Sequence, residues 1–219
     1  MKVLVPPQSG SQQGITSSRN RFGQYIRTRA IPVNPRSAAQ GLVRARMAAN
    51  SAAWRTLTSA QRAGWADLGL SMVRSDSLGQ SYSLQGNQAY ASVNNNRVLC
   101  GLAPVSDAPA LTTPNALLTA VVTTAAGTLS IAYTATPLAA ATYLAVFASP
   151  QRSAGRAFEG DFRFVLLSAA AQASPVNPLA AYTAKFGAPV VGNQIFFSLI
   201  AITLGFESGA LITAKVVTA

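Results

Sequence analysis

A proline-rich segment near the middle of the chain separates two stretches with different amino-acid patterns. Pro104, Pro109 and Pro114 lie within residues 102–114 of the 219-residue sequence. Proline fixes φ and has no backbone N–H, so such a segment is stiff, extended and poor in hydrogen bonds. We therefore predict a linker over residues 104–114 between two parts that fold separately.

A strand pattern begins the part before the linker. Side chains alternate over residues 24–31, which places Tyr25, Arg27 and Arg29 on one face of a strand. Residues 15–20 are expected to pair with this strand as a β-hairpin. One face of the hairpin would then be basic and aromatic.

Two capping-box patterns predict helices after the hairpin. In Ser37–Gln40 and Thr58–Gln61, a hydroxyl and a glutamine amide can satisfy the free backbone donors of a first helical turn. The first pattern predicts a helix that ends near residue 56, and the second predicts a shorter helix. A third helix is expected over residues 87–99 and completes a basic hairpin plus helical module over residues 15–103.

Two tryptophans fall in helical register with other apolar residues of the first two helices. We expect these helices to form an αα-hairpin with Trp54 and Trp65 each buried in its core. The run Asn94–Asn96 is a weak helix former in the third helix. Cys100 is the only cysteine of the chain, and we interpret it as a small buried apolar residue.

The part after the linker, residues 115–219, has an all-β pattern. Short runs rich in Val, Thr, Ile, Phe and Tyr are separated by turn residues. This spacing predicts an immunoglobulin-like or fibronectin-III-like sandwich, so the fold class of the whole chain is α+β. The candidate strands are residues 117–123, 128–133, 142–148, 162–167, 194–202 and 211–217.

The first residues of the chain, 1–14, are rich in Pro, Ser, Gln and Gly. Such a composition cannot bury enough apolar surface to fold alone. We therefore predict an extended arm over residues 1–14.

Positive charge is concentrated in the first part of the chain. Nine arginines and no acidic residue lie between Arg19 and Arg62, and the whole chain carries a net charge of +11. The planar guanidinium group suits fixed contacts with carboxylates or phosphates. These residues form the predicted partner-docking set: Arg19, Arg21, Tyr25, Arg27, Arg29, Arg36, Arg44, Arg46, Arg55 and Arg62.

Several kinds of functional site are excluded or disfavoured by composition. The chain has no histidine, which excludes Ser-His-Asp and Cys-His catalysis. Glu159 and Asp161 lie beside Arg156 and Arg163, and we interpret them as an ion-pair cluster rather than a catalytic carboxylate pair. The sequence predicts no enzyme activity, no metal, no cofactor and no small-molecule substrate. It also predicts no membrane span, because no continuous apolar run is long enough.

Three segments carry a resemblance to a known group of proteins. They are Arg19-Asn-Arg-Phe-Gly-Gln-Tyr-Ile-Arg-Thr-Arg, Pro32-Val-Asn-Pro-Arg-Ser-Ala-Ala-Gln and Trp54-Arg-Thr-Leu-Thr-Ser-Ala-Gln-Arg-Ala-Gly-Trp. The pattern resembles a loosely characterised group of bacteriophage and prophage proteins that are encoded among virion structural genes. It covers about residues 14–70. The resemblance implies a structural role in a virion that is assembled in the host cytoplasm, and it implies no catalytic residues.

The leading hypothesis is a non-enzymatic virion structural protein, such as a capsid decoration, head-tail or tail component. Its arginine-rich half would dock to other virion proteins or to further copies of the chain, while the sandwich projects or packs laterally. A second hypothesis is a nucleic-acid-binding structural protein whose residues 19–62 contact phosphates. A third is a surface adhesin that presents the sandwich.

Overall fold

The computed structural model describes residues 9–20, 23–31, 33–76, 78–125, 127–134 and 138–219. Contacts within the chain divide it into two compact units, Met1–Val43 and Arg44–Ala219. The described residues form both helices and antiparallel sheets, so the α+β class is confirmed. The helices are α1 (Ala38–Thr56), α2 (Ser59–Ser71), α3 (Gly86–Leu99) and α4 (Leu179–Phe186). The strands are β1 (Gly10–Gln12), β2 (Ile15–Asn20), β3 (Gly23–Thr28), β4 (Val73–Ser75), β5 (Ser81–Ser83), β6 (Thr119–Ala125), β7 (Thr128–Thr134), β8 (Thr142–Ala148), β9 (Arg152–Ser153), β10 (Arg163–Leu167), β11 (Asn193–Thr203), β12 (Phe206–Glu207) and β13 (Leu211–Val216).

The first unit contains a three-stranded antiparallel sheet in the order β1-β2-β3. The predicted hairpin is confirmed, with pairs from Ile15↔Thr28 to Asn20↔Gly23. Strand β1 comes from the predicted arm, and residues 1–8 of that arm lie outside the described residues.

Helix α1 begins where the first capping box predicts it. The backbone N–H of Gln40 donates to Ser37 Oγ at 3.3 Å, which satisfies one free donor of the first turn. The second bond of this capping box is absent, because Gln40 Oε1 has no hydrogen-bond partner among the described residues. The helix starts in the first unit, continues into the second and ends at Thr56, as the sequence predicts.

Helix α2 packs mainly against α3 and not, as the αα-hairpin prediction has it, against α1. The indole ring of Trp65 meets the ring of Tyr90 edge-on at 5.1 Å. Both hydrogen bonds of the second capping box are present, from Gln61 N to Thr58 Oγ1 and from Thr58 N to Gln61 Oε1. Trp65 is buried as expected, and Trp54 is only partly buried but packs against the same core. Its ring lies beside α3, 5.5 Å from that of Tyr90.

The asparagine run of α3 joins three other segments to this helix. Buried Asn94 forms two hydrogen bonds with the backbone of Val105, at 2.8 and 3.1 Å. Asn95 accepts a hydrogen bond from α1 at 2.9 Å, and Asn96 donates to the Gly205 carbonyl at 2.9 Å. A sequence that is weak for a helix therefore supplies the polar contacts that position its neighbours.

The start of the predicted linker is held against α2 and α3. Trp65 Nε1 donates to the Ser106 carbonyl at 2.7 Å, and Gln61 donates to the Asp107 carboxylate at 3.0 Å. The expectation of few hydrogen bonds is therefore wrong for residues 105–107. The whole segment lies within the second unit.

Strand β11 is the centre of a six-stranded antiparallel sheet. Phe197, Ser198 and Leu199 pair with β8 and also with β13, so these two strands flank β11 on opposite edges. Strand β10 pairs with β8, and β9 and β12 each add a two-residue pairing to β11. All six predicted strands overlap observed ones.

Both faces of this sheet are packed. Leu144, Phe197 and other alternating side chains of β8 and β11 share a core with the β6–β7 hairpin and with Tyr182 of α4. The intervening side chains, such as Ile202, contact Cys100 at the end of α3. Cys100 is buried as expected, and its burial raises the pKa of the thiol to about 11.

Helix α4 is an element that the sequence analysis did not anticipate. It is short and apolar and lies between Pro178 and Gly187, where the strand pattern is interrupted. The packing of a helix beside the β6–β7 hairpin goes beyond a simple two-sheet sandwich. The second unit is therefore mixed α+β with a β-rich C-terminal part, and the immunoglobulin-like sandwich stays a prediction.

Candidate docking surface

The predicted docking residues fall into both units. Those described in the first unit are Arg19, Tyr25, Arg27, Arg29 and Arg36. Those in the second unit are Arg44, Arg46, Arg55 and Arg62. Arg21 lies outside the described residues.

The first-unit sheet has two different faces. Tyr25 pairs with Ser18 and Arg27 pairs with Thr16, so an aromatic ring, a guanidinium group and two hydroxyls share one face. The backbone N–H of Arg29 donates to the Gly14 carbonyl at 2.8 Å, which extends this alternation by one residue beyond β3. The basic and aromatic face predicted from the sequence is thus formed.

Arg19 lies on the opposite face of the same sheet. It pairs with Gln24, and the alternating positions on this face include Ile15 and Ile26. Both isoleucines are exposed to almost half of their surface. Further along, Ile31 and Val33 are also exposed, and Val33 is 90% exposed. These apolar residues are not among the predicted docking residues, although the alternation that identifies the strand also identifies this second face.

None of the described residues from 9 to 43 is buried. A sheet of three short strands requires a covered apolar face to be stable in water. The first unit presents isoleucines on one face but, among its described residues, holds no core of its own. We call residues 9–31 of this unit, without the undescribed Arg21 and Phe22, the N-terminal sheet surface.

The described arginine side chains of the first unit form no polar contacts with the described part of the chain. Within the described part of the chain, Arg19, Arg27, Arg29 and Arg36 make no side-chain hydrogen bond and no ion pair. The acidic residue that is nearest to them in the sequence is Asp67. Their charge is therefore available to a partner.

Arg62 of the second unit has a structural contact. Its Nη2 donates to the Arg55 carbonyl at 2.8 Å, in the last turn of α1, and its guanidinium group lies 6.0 Å from the centre of the Trp54 ring. A cation at a helix C-terminus satisfies a free carbonyl and interacts favourably with the helix dipole. Arg62 thus differs from the first-unit arginines in that its side chain already binds a group of its own chain.

Three of the six acidic residues are paired with other arginines of the second unit. Glu207 lies 3.5 Å from Arg74, and Asp161 lies 3.1 Å from Arg163. The third is Glu159, which lies in the predicted ion-pair cluster. This cluster is confirmed.

Glu159 is buried in the cluster and remains ionised far into the acidic range. Its carboxylate accepts hydrogen bonds from the backbone of Asp161, from the Arg152 side chain and from the backbone of Gly160, and these contacts lower its pKa from 4.5 to about 2. Arg152 was not part of the predicted cluster, because it is seven residues away and reaches Glu159 only through the fold of the loop. A carboxylate held in this way positions the backbone and is poorly suited to accept a proton.

The described residues hold no group of three His, Cys, Asp or Glu side chains that could bind a metal ion. No helix in the described part of the chain is long and apolar enough to cross a membrane. Two larger cavities lie in the second unit, one of about 550 Å³ between α1 and α3 and one of about 530 Å³ at the end of the large sheet.

No protein-family model matches the chain, and no curated protein matches it in sequence.

Proposed function

We propose that this chain is a non-enzymatic structural protein of a bacteriophage virion that anchors through its N-terminal sheet surface. The observation that carries the proposal is a sheet with exposed arginines, exposed isoleucines and no buried residue among those described. A partner that contacts both faces, covering the isoleucines on one and supplying negative charge to Arg27 and Arg29 on the other, would complete it. The resemblance of residues 14–70 to phage virion proteins supports the virion as its setting.

Charge balance favours an acidic partner over a second copy of the chain at this surface. Glu159, Asp161 and Glu207 are already paired with arginines of their own chain. A second copy therefore offers only Asp67, Asp76 and Asp107. Asp76 and Asp107 already accept hydrogen bonds within their own chain. The second copy also brings its own net charge of +11. The anchoring partner is therefore an acid-rich virion component. The β-rich part, an immunoglobulin-like sandwich in this proposal, projects from the particle or packs laterally.

Particle incorporation tests this proposal. The tagged chain is expressed while the phage that carries its gene is produced, and the chain is quantified in gradient-purified particles. We expect the unchanged chain in the particles and at least a tenfold lower amount for the double variant Arg27→Glu and Arg29→Glu. Lys215→Glu in β13 changes an exposed charge in the same direction and is expected to leave incorporation unchanged.

Two results would overturn the proposal. One is a particle preparation that lacks the unchanged chain. The other is equal incorporation of the double variant and the Lys215→Glu control, because the arginines of the sheet would then have no part in anchoring.

Nucleic acid is a second candidate partner, and the spacing of the basic face favours it. Tyr25, Arg27 and Arg29 follow one another at intervals of two residues, or about 6.8 Å along an antiparallel strand. Within the three-stranded sheet, β2 and β3 form the hairpin that carries this face, and a two-stranded β-ribbon fits the major groove of DNA. The same arginines would then contact phosphates instead of carboxylates.

Salt dependence tests this second candidate. Each phosphate contact contributes about −0.9 to the slope of log affinity against log salt, so two contacts predict about a 12-fold loss between 50 and 200 mM salt. The measurement is fluorescence anisotropy of a labelled duplex DNA with the nuclease-treated full chain. A flat salt response, or equal binding by the Arg27→Glu and Arg29→Glu variant, would remove nucleic acid from consideration.

A further inference from the structure

A loop of the second unit presents an exposed aromatic side chain in a fixed conformation. Phe158, in the loop of residues 154–162 between β9 and β10, is 73% exposed. The next residue is the buried Glu159, which accepts bonds from two following backbone amides, each at 2.9 Å, and from Arg152. Arg156 Nε donates to the Phe158 carbonyl at 2.7 Å. Because the loop is already ordered, binding through Phe158 would lose little further conformational entropy.

The cavity of about 530 Å³ has a lining that suits an aromatic side chain. Leu117, Leu118 and Leu138 line it together with threonines and Asn115, and none of the described residues that line it is charged. A cavity of about 150 Å³ with aliphatic walls is large enough to hold a benzene ring. We call the cavity of about 530 Å³ the end cavity. It has room for a phenyl ring and for the loop backbone beside it.

The loop and the end cavity lie at opposite ends of the same sheet. Ala148, the last residue of β8, pairs with Arg163 just after the loop. Thr142, the first residue of β8, lines the end cavity together with Thr203, its partner at the end of β11. Six residue steps along β8 separate the two ends by about 20 Å. One end of the sheet therefore carries a protrusion and the other a recess.

We propose that Phe158 of one copy inserts into the end cavity of a second copy, so that copies associate head to tail. The loop arginines are already paired with Glu159 and Asp161, and the end cavity is lined without charge, so the contact would bury no unpaired charge. A head-to-tail contact generates a ring if its rotation closes and a filament if it does not. The contact uses only the second unit and does not depend on anchoring through the N-terminal sheet surface.

Sedimentation velocity of the full chain tests the proposal. The measurement is made in about 1 M salt, where a screening length of about 3 Å weakens contacts of the exposed arginines but not an apolar contact. We expect the mean mass of the unchanged chain to rise with concentration. Phe158→Ala is expected to weaken association at least about 30-fold, the effect of removing one central anchor residue. Ile212→Ala removes another exposed apolar side chain, on β13, and is expected to associate like the unchanged chain.

A mixture of two variants tests the direction of the contact. Phe158→Ala keeps the end cavity, whereas Ala139→Trp places an indole ring at an exposed residue of the cavity wall and keeps the loop. We expect each variant alone to remain a single copy and their equal mixture to form a complex of two copies and nothing larger. The proposal is overturned if the unchanged chain stays a single copy, if Phe158→Ala associates normally, or if the mixture fails to combine.

Discussion

Most arginines of the second unit have partners within their own chain, whereas the described arginines of the first unit do not. Arg46 and Arg55 are the exceptions in the second unit, because their side chains make no hydrogen bond or ion pair among the described residues. In the second unit, the side chains of Arg62, Arg74, Arg97, Arg152, Arg156 and Arg163 bind carboxylates or backbone carbonyls. In the first unit, the side chains of Arg19, Arg27, Arg29 and Arg36 have no such contact among the described residues. The residue type alone therefore does not identify a docking arginine. A docking arginine is identified by the absence of a partner for its side chain within the fold.

Burial differs between the units in the same way. The second unit has packed side chains on both faces of its large sheet, whereas none of the described residues of the first unit is buried. One unit is stabilised by its own core, and the other presents surfaces that a core would normally cover. The following changes probe this difference, in order of decreasing expected effect.

Gly205→Ala is expected to have the largest effect, because Gly205 lies where α3 meets the β11–β12 turn. Its φ is +101°, and an added Cβ would lie 2.7 Å from the carbonyl oxygen of Val93. Backbone strain and overpacking together predict that the free energy of unfolding falls by about 3–5 kcal/mol. Urea unfolding followed by tryptophan fluorescence measures it, since both tryptophans lie in the second unit. Gly155→Ala, with no atom within 4 Å, is the control, and equal stability of the two variants would contradict the tight contact.

Asn94→Ala is expected to destabilise the second unit by about 2–3 kcal/mol. The change leaves the N–H and carbonyl of Val105 without their hydrogen bonds to a buried side chain. The same unfolding experiment measures the loss. Asn87→Ala, at an exposed position of the same helix, is expected to stay within about 0.5 kcal/mol of the unchanged chain. A similarly small change at Asn94 would mean that the proline-rich segment is not held by this residue.

Glu159→Gln is expected to have a pH-dependent effect that is comparable with that of Asn94→Ala above about pH 4.5 and smaller in more acidic solution. The pKa of Glu159 is lowered from 4.5 to about 2 in the folded chain, so the ionised carboxylate stabilises the fold fully above about pH 4.5. This stabilisation is lost as the pH falls through about 2. The difference in unfolding free energy between the variant and the unchanged chain should therefore narrow from pH 5 to pH 2. A constant difference over this range would show that the carboxylate charge is not its source.

Arg27→Ala is expected to have the smallest effect on stability, within about 0.5 kcal/mol, because its side chain has no hydrogen bond or ion pair with a described residue to lose. Calorimetric unfolding measures it. The matched change Arg97→Ala removes hydrogen bonds to the carbonyls of Ala103 and Leu204 and is expected to cost about 1–2 kcal/mol. If both changes cost the same, the two classes of arginine would not differ in the way that the structure indicates.

Local patterns predicted most of the secondary structure. The capping-box patterns predicted the starts of α1 and α2, and period-two alternation located the hairpin. Runs of β-branched and aromatic residues between turn residues located the six longer strands of the second unit. These signals act between residues that are close in the chain, so they can be read without the fold. Helix α4 was missed because an eight-residue apolar segment carries no distinctive periodicity.

Long-range contacts were not predictable in this way. The sequence analysis placed a linker at residues 104–114, but Asn94 and Trp65 hold its first residues by hydrogen bonds, and Asn96 bonds to a residue 109 positions away. Which arginines would find partners depended on the same contacts, since Arg74 meets Glu207 across 133 positions.

The sequence by itself determined the three longer helices, the longer strands, the α+β class and the concentration of arginine between residues 19 and 62, because these depend on local propensity and composition. Only the tertiary structure decided which arginines remain without partners, which apolar side chains stay exposed, and that Phe158 and the end cavity occupy opposite ends of one sheet. Each of these properties is set by distances between segments far apart in the chain, and no local pattern encodes such distances.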